Sequence, residues 1–369
     1  MRILQLTTHL DVGGISTYVA TLTRSLLRRR HQVFVASSGG ALESALGDGA
    51  LPWTVDLRTK SEAHPKVWLA ARRLRGLLRQ TPADVIHAHT RVAQVAAALV
   101  SRSTRIPYVT TCHGFFRPRL GRRCFPCWGE RVIAISRSVE AHLLQDFHVP
   151  EPRVRLVLTG LDAARAARVP TIEEQETWRK GVSLAPGDQM VATMTRLVPS
   201  KGVDIFLRAI ADAARSAQQL RGVVIGDGED RHRLQQLATQ LGLGQRVVFA
   251  GTVADPAPLL SLCHAFLFTA TGLEGLGLSV LEAMAQGLPV IASKVGGVSE
   301  LVEHGYTGFL VPPGDARAVA ERIGQFLEDP SLARRMGAAA RATVADRFSA
   351  ERMAEQVEAV YHEVTGSRR

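Results

Sequence analysis

Thr271-Gly-Leu-Glu-Gly-Leu-Gly-Leu-Ser-Val-Leu-Glu-Ala-Met-Ala-Gln-Gly-Leu-Pro-Val-Ile-Ala-Ser293 links two apolar runs through one helical segment. The run before it, Ala265 to Thr269, and the one that ends it, Pro289 to Ser293, have strand length, and Gly287 bounds the second. Between them Leu278, Leu281, Ala285 and Leu288 recur with the helical period of a core-facing stripe. Gly275 and Gly277 permit a tight turn and a close approach of a ligand to the backbone. The helix therefore opens over Gly275, Leu276, Gly277 and Leu278, where unpaired amides and the positive dipole end suit a phosphate or a sugar hydroxyl. Glu274 on the turn and Glu282, seven residues separating them, frame that opening. An isolated pair of this kind also reads as a helix-entry acid and a solvated helical charge.

Working outward, the carboxyl half repeats this unit. Gln189 to Thr195, Gly222 to Ile225, Arg246 to Phe249, Ala265 to Phe268, Val290 to Ala292 and Phe309 to Val311 read as short strands with helices between them. The amino half has its own series at Arg2 to Leu6, Gln32 to Ala36, Asp84 to Ala88, Tyr108 to Thr111, Val132 to Ile135 and Arg155 to Leu158. This alternation predicts an α/β protein with two doubly wound, Rossmann-like parallel sheets covered by helices. Ala163 to Asp188, with Pro170, Pro186 and a Glu-Glu-Gln-Glu run, reads as a linker and a short helix. The expected domains are 1–165 and 166–347, with helices over 331–347 and 349–365. Glycines 39, 40, 47 and 49 read as loop punctuation.

With 369 residues, 46% hydrophobic and 21% charged, the chain is long enough for two substantial cores. Forty-five Lys and Arg against 34 Asp and Glu give a formal charge of +11 and a pI near 10.2, which favours an anionic partner. The basic charge is not gathered into a single stripe of the kind nucleic acid needs, so no nucleic-acid partner is expected. Four scattered cysteines do not make a disulfide framework and point to a reducing compartment. No apolar run reaches the 18 residues of a membrane span, and Met1 to Thr7 turns polar too early for a signal peptide. The expectation is a cytoplasmic protein.

Other motifs lie at predicted strand ends. Thr7-Thr-His-Leu-Asp-Val-Gly-Gly-Ile-Ser-Thr-Tyr18 places Gly13 and Gly14 where open parallel sheets bind ligands, able to bring amides against a diphosphate. A turn that needs glycine for its dihedrals is the alternative. His113 ends the strand at Tyr108 to Cys112, and His87 and His89 follow the preceding strand. Beyond His113, Arg117, Arg119, Arg122 and Arg123 are interleaved with Phe115, Phe116 and Pro118, suited to a phosphorylated or carboxylated acceptor or to a solvated surface. Cys124 and Cys127 lack the second Cys or His pair of a closed zinc site and read as structural. Pro65 to Arg79 is a basic amphipathic helix whose Trp68, Leu69 and Leu78 are expected to pack on the sheet, while its Arg face suits an anionic bilayer. Arg196 and Lys201 on one loop after a strand can straddle a diphosphate. Gly226-Asp-Gly-Glu-Asp-Arg231 lacks the third glycine of a dinucleotide fingerprint.

The string Glu274-Gly-Leu-Gly-Leu-x-x-Leu-Glu-Ala-Met-Ala-x-Gly-x-Pro-Val290, continued by Gly296-Gly297-Val-Ser-Glu300, resembles the donor-site signature of retaining nucleotide-sugar glycosyltransferases of family four. The resemblance implies the GT-B architecture, with the last helix, within 348–369, crossing back to the first domain. It implies a nucleoside-diphosphate-sugar donor with Arg196 and Lys201 as the diphosphate clamp. Glu274 would hold the donor sugar, Glu282 the ribose, His113 the sugar, Gly14 the donor phosphate, and Gly226 would line the nucleotide side. No Asp-x-Asp motif is present, and the clamp takes the place of a divalent ion, so neither metal nor cofactor is expected. Thr159 stands where family members often have Asn, and Leu276 where Phe is frequent.

The reading is therefore a retaining, metal-independent glycosyltransferase acting on a glycan or lipid-linked acceptor of the cell envelope, at the inner face of the membrane with peripheral contact to anionic lipid. A sugar-nucleotide epimerase of similar fold and a non-catalytic nucleotide-sugar binder are the alternatives; a phosphorylase would be far longer.

Overall fold

The structure is a computed structural model that describes residues 1–59, 61–118 and 120–366, without the side chains of residues 120, 123, 163 and 164. The chain divides into two compact units, Met1–Asp162 with Phe348–Arg369, and Ala163–Arg347.

The first unit carries a seven-stranded sheet in the order β3-β2-β1-β4-β5-β6-β7. Its strands are β1 (Arg2–Leu6), β2 (Gln32–Ser37), β3 (Leu51–Thr54), β4 (Val85–Ala88), β5 (Tyr108–Cys112), β6 (Arg131–Ala134) and β7 (Val154–Leu156), all paired in parallel. Its helices are α1 (Gly14–Arg28), α2 (Pro65–Gln80), α3 (Arg91–Thr104), α4 (Leu120–Cys124) and α5 (Arg137–Gln145), with α15 (Ala350–Gly366) at the end of the chain. Side chains alternate across the sheet. Leu4, Leu6, Phe34 and Ile86 pack with Val67, Ala70 and Leu74 of α2 and with Ala93 and Ala97 of α3. The opposite face, including Ile3, Gln5, Val33, Val85 and His87, is also buried, so these strands read as continuous runs. Each fully buried Val, Leu or Ile contributes roughly 1.5–3 kcal/mol.

Strand β3 is absent from the sequence reading. Leu51-Pro-Trp-Thr54 is an edge strand, mostly exposed, whose Pro52 lacks a ladder donor and fits only such a position. Helix α15 is fastened to the first unit by Glu363, which receives Arg131 at 2.9 Å and Arg155 at 2.8 Å. Glu358 adds His31 at 2.9 Å. The chain leaves and re-enters this unit side by side: Leu161 donates to Phe348 at 2.7 Å and Ala350 to Leu161 at 2.9 Å. A Cβ at Gly160 would stand 2.3 Å from the Ser349 carbonyl, so the crossing requires glycine there.

The second unit carries a six-stranded sheet in the order β10-β9-β8-β11-β12-β13: β8 (Gln189–Met194), β9 (Leu220–Ile225), β10 (Val247–Gly251), β11 (Cys263–Phe268), β12 (Val290–Ser293) and β13 (Gly308–Val311), again all parallel. Its helices are α6 (Ala163–Ala166), α7 (Ile172–Gly181), α8 (Val203–Ala213), α9 (Arg231–Gln240), α10 (Ala257–Leu260), α11 (Leu278–Ala285), α12 (Val298–Leu301), α13 (Ala316–Glu328) and α14 (Pro330–Arg347). Within the stretch read as a linker and a short helix, α7 is a helix whose start is closed by a capping box of Thr171 and Glu174. Phe206, Ile210, Val224, Leu267, Phe309 and Met336 lie in the core of this unit.

Candidate functional site

Open parallel sheets bind ligands beyond the carboxyl ends of their strands, where the strand order reverses. In the second unit the reversal lies between β8 and β11. The loops that follow these two strands are 195–202 and 269–277, which hold Arg196, Lys201 and Glu274.

These loops are stitched together by backbone. Thr271 and Gly272 both donate to the Ser200 carbonyl at 3.0 Å, and the Thr269 hydroxyl donates to Gly202 at 2.8 Å. Gly202 has φ +63°, and a Cβ there would lie 1.9 Å from the Thr269 carbonyl. The loop after β9 joins them, with Leu197 donating to Asp227 at 2.9 Å. Gly226 (φ +124°) sits so close that a Cβ would lie 1.9 Å from Thr195 O. Gly297 donates to Glu274 at 2.9 Å, and a Cβ at Gly296 would meet the same carbonyl at 2.2 Å. The Gly296-Gly297 pair is thus the space into which the Glu274 backbone fits.

On this scaffold the Lys201 ammonium forms an ion pair with the Glu274 carboxylate, both side chains largely buried. Arg196 is exposed, and no ion pair joins it to a described residue. Helix α11 begins at Leu278, capped by Gly277 with φ +99° and with no side-chain cap, which leaves its first amides turned toward the same loop end. Leu276 is buried and Leu278 only partly so, hence Leu276 offers a ligand its backbone alone. Glu282, one turn into α11, is partly buried rather than solvated. Desolvation, with the charge of Asp255 and against that of Arg165, pushes its carboxyl up to about 7.

In the first unit the strand order reverses between β1 and β4. The β1–α1 loop holds Gly13 and Gly14, with Gly14 the first residue of α1. A Cβ at Gly13 would meet nothing within 4 Å, and its φ of 162° is extended backbone. The fold therefore does not need glycine at this position. Gly40, read as loop punctuation, has a packing role: a Cβ there would lie 2.3 Å from the Leu10 backbone of the same loop.

His113, just past β5, is partly exposed, and burial of its ring holds its pKa down near 3. Its Nε2 lies 3.3 Å from His89 Nδ1. His87 is fully buried, with Nδ1 2.7 Å from the Tyr361 hydroxyl and Nε2 2.7 Å from Thr111 Oγ1. It is sealed in the interior. Gln5 and Tyr361, members of the same cluster, are missed by the sequence reading; the signal is Gln5, a polar residue inside the apolar run Ile3 to Leu6.

The arginine loop is divided by the structure. Arg117 is exposed. Arg122 is buried, its guanidinium 4.3 Å from the centre of the Phe116 ring and 5.6 Å from that of Trp128. It pins the loop rather than facing water. Arg119 and the side chain of Arg123 lie outside the described residues. All four cysteines are free, Cys124 exposed and Cys127 buried. Helix α2 corrects one expectation: Val67, Ala70, Ala71, Leu74 and Leu78 form its buried face, while Trp68 and Leu69 are 60% and 66% exposed.

The profile described as Glycosyl transferases group 1 matches residues 174–343, and that described as Glycosyltransferase Family 4 matches residues 12–165. The N-acetyl-alpha-D-glucosaminyl L-malate synthase of Bacillus anthracis is 26% identical over 97% of this chain and 96% of its own. The D-inositol 3-phosphate glycosyltransferase of Acidothermus cellulolyticus is 29% identical over 97% and 87%. Among solved structures, Anabaena HepE in complex with UDP-glucose superposes with a TM-score of 0.85 at 25% identity, covering 98% of this chain and all of that one. Two parallel-sheet units, both profiles and these relatives agree: the chain belongs to the group 1, family four glycosyltransferases of GT-B fold, enzymes that draw on a nucleotide-sugar donor.

Proposed function

We propose that this glycosyltransferase transfers its sugar with retention of the anomeric configuration and without a metal ion. The observation that carries the reading is the Lys201–Glu274 pair at the strand-order reversal of the second unit, with Arg196 exposed on the same loop. As the sugar–phosphate bond breaks, negative charge grows on the departing diphosphate. Arg196, Lys201 and the first amides of α11 oppose that charge, and they do so more in the transition state than in the ground state. Glu274, already held by Lys201, receives the hydroxyls of the donor sugar, and Glu282 those of the ribose. Gly13, Gly14 and Gly226 let the backbone approach the nucleotide. His113 meets the donor sugar. Among the described residues, no cluster of three His, Cys, Asp or Glu is placed to hold a metal.

For the acceptor we propose an anionic, membrane-linked glycan or lipid of the cell envelope, met at the cytoplasmic face of the membrane. Helix α2 supports this reading with Lys66, Arg72, Arg73, Arg75 and Arg79, no acidic residue, and Trp68 and Leu69 exposed beside them. A surface of that kind lies in an anionic interface by combining apolar and electrostatic attraction. No helix among the described residues is long and apolar enough to cross a membrane. A second reading, a small anionic acceptor in solution, is favoured by the names of two relatives, whose acceptors are malate and inositol 3-phosphate.

The test is a thermal-shift screen against UDP, GDP, ADP and their sugars, because a true donor stabilises the fold by mass action. The product is then assigned by NMR. Silence from every nucleotide removes the reading, and an inverted anomer removes its mechanism.

A further inference from the structure

We propose that Gln5 and His89 hold the His113 imidazole in one orientation and one tautomer, proton on Nε2 and bare Nδ1 offered to the ligand as an acceptor, and that Tyr361 fixes Gln5 for that task. The inference rests on the reading of His113 as a group that meets the donor sugar.

The cluster follows from the period of the strands. Gln5 on β1, His87 and His89 on and after β4, and Thr111 and His113 on and after β5 are spaced two apart, so each set shares one face of the sheet. Gln5 and His87 are direct partners across the β1–β4 pair. That face is covered by Tyr18 of α1 and Tyr361 of α15, both buried. The Tyr18 ring meets that of His113 edge to face at 4.7 Å, which fixes the plane of the imidazole.

The hydrogen bonds then form a directed chain. Gln5 presents its carbonyl Oε1 to His89 Nε2 at 2.5 Å. An amide oxygen only accepts, so Nε2 of His89 carries the proton. Burial keeps His89 neutral, its pKa far below the usual value, so its Nδ1 is bare. His113 Nε2, 3.3 Å from that Nδ1, is therefore the donor. His113 is neutral too, and its own Nδ1 is left as an acceptor with no partner among the described residues. A sugar hydroxyl donating to it would meet the right atom.

At the other end the Gln5 amide NH2 donates to the Tyr361 hydroxyl at 3.4 Å. Tyr361 in turn donates to His87 Nδ1 at 2.7 Å, and His87 Nε2–H donates to Thr111 at 2.7 Å. The set is self-consistent: turning the Gln5 amide over would reverse every bond along the chain. It would then present His113 to the ligand as a donor. Tyr361 reaches this cluster from α15, so the last helix of the chain is part of what sets the state of His113. His89 and Gln5 act through His113 and are positioning residues.

The decisive measurement needs no variant. In protein labelled with 15N-histidine, long-range 1H–15N spectra report the tautomer of each ring. His87, His89 and His113 should be neutral from pH 6 to 8, each with the proton on Nε2. A proton on Nδ1 of His113, or titration of that ring near 6.5, overturns the proposal. The kinetic arm uses Gln5→Leu, which removes the acceptor and suits a buried strand. It should mix the His113 tautomers and lower donor kcat/KM by about tenfold, with a fall in melting temperature from the buried His89 N–H left without its acceptor. In a His113→Ala background the same substitution should have no further effect. An undiminished Gln5→Leu effect in that background makes Gln5 merely structural and sinks the relay. Full activity of His113→Ala alone would remove His113 from the proposed mechanism, a failure distinct from a wrong tautomer in the spectrum.

Discussion

Glu282 makes the proposed donor site sensitive to pH in a calculable way. Its carboxyl is raised from 4.5 to about 7 by desolvation and Asp255, against the counteracting Arg165. Between those values the folded protein keeps a proton that the unfolded chain has lost. Stability of the ligand-free enzyme therefore falls as pH rises from about 4.5 and levels off above 7. The full difference is about 3 kcal/mol at roughly 1.4 kcal/mol per pH unit. Glu282→Gln resembles the protonated form and lacks this loss. By denaturant unfolding it should match the wild type near pH 4 and exceed it by up to about 3 kcal/mol at pH 8. Nucleotide binding should run the other way. If the ionised carboxylate grips the ribose, wild-type affinity for UDP or GDP relative to that of the Gln variant should fall by about tenfold per pH unit below 7. Calorimetry in two buffers of different ionisation enthalpy should show a proton released on binding at pH 6.5. Comparison with the variant cancels titration of the nucleotide phosphate. A wild-type to variant affinity ratio that is flat from pH 5.5 to 8 would refute the assignment of Glu282 to the ribose.

The glycines separate steric from ligand requirements. Gly13→Ala meets nothing within 4 Å, so unfolding should shift by no more than about 0.5 kcal/mol while donor KM rises; unchanged KM would return Gly13 to an ordinary turn. Gly202→Ala, at φ +63° and with its Cβ 1.9 Å from a carbonyl, should lower the melting temperature and activity together. Lys201→Ala removes charge stabilisation that grows during bond cleavage and should lower kcat about a hundredfold, and Glu274→Gln should also act mainly on kcat; normal turnover in either variant contradicts the clamp. Saturating EDTA should leave activity intact, and a loss restored by magnesium or manganese would assign the charge to a metal instead. Anionic liposomes at low salt should retain the protein, and less so after Trp68→Ser with Leu69→Ser; no retention abandons the membrane-linked acceptor.

Much of this was legible in the chain because local period and strand-end position carry it. Leu278 to Ser293 announces a helix and a strand, and parallel sheets put ligand loops at strand ends wherever those loops fall in the sequence. The contact between Lys201 and Glu274 was not legible, because it spans 73 residues and depends on the bonds from Thr271 and Gly272 to Ser200. Strand β3 escaped because an exposed edge needs no apolar run. Helix α2 shows the limit of apolar counting most plainly. Trp68 and Leu69 follow Val67, and any short window holds all three. The helical phase is fixed instead by Ala70, Ala71, Leu74 and Leu78, which turn Val67 inward and leave its two neighbours outside. Val67, Leu74 and Leu78 with two alanines thus mark the packed face, while the equally apolar Trp68 and Leu69 stand outside it, a distinction that hydropathy alone does not make. On the proposed membrane-linked reading that exposure suits α2 to another phase: in water, two adjacent large apolar side chains among four arginines are an unsatisfied cost, and in an anionic interface each of the six would gain a partner.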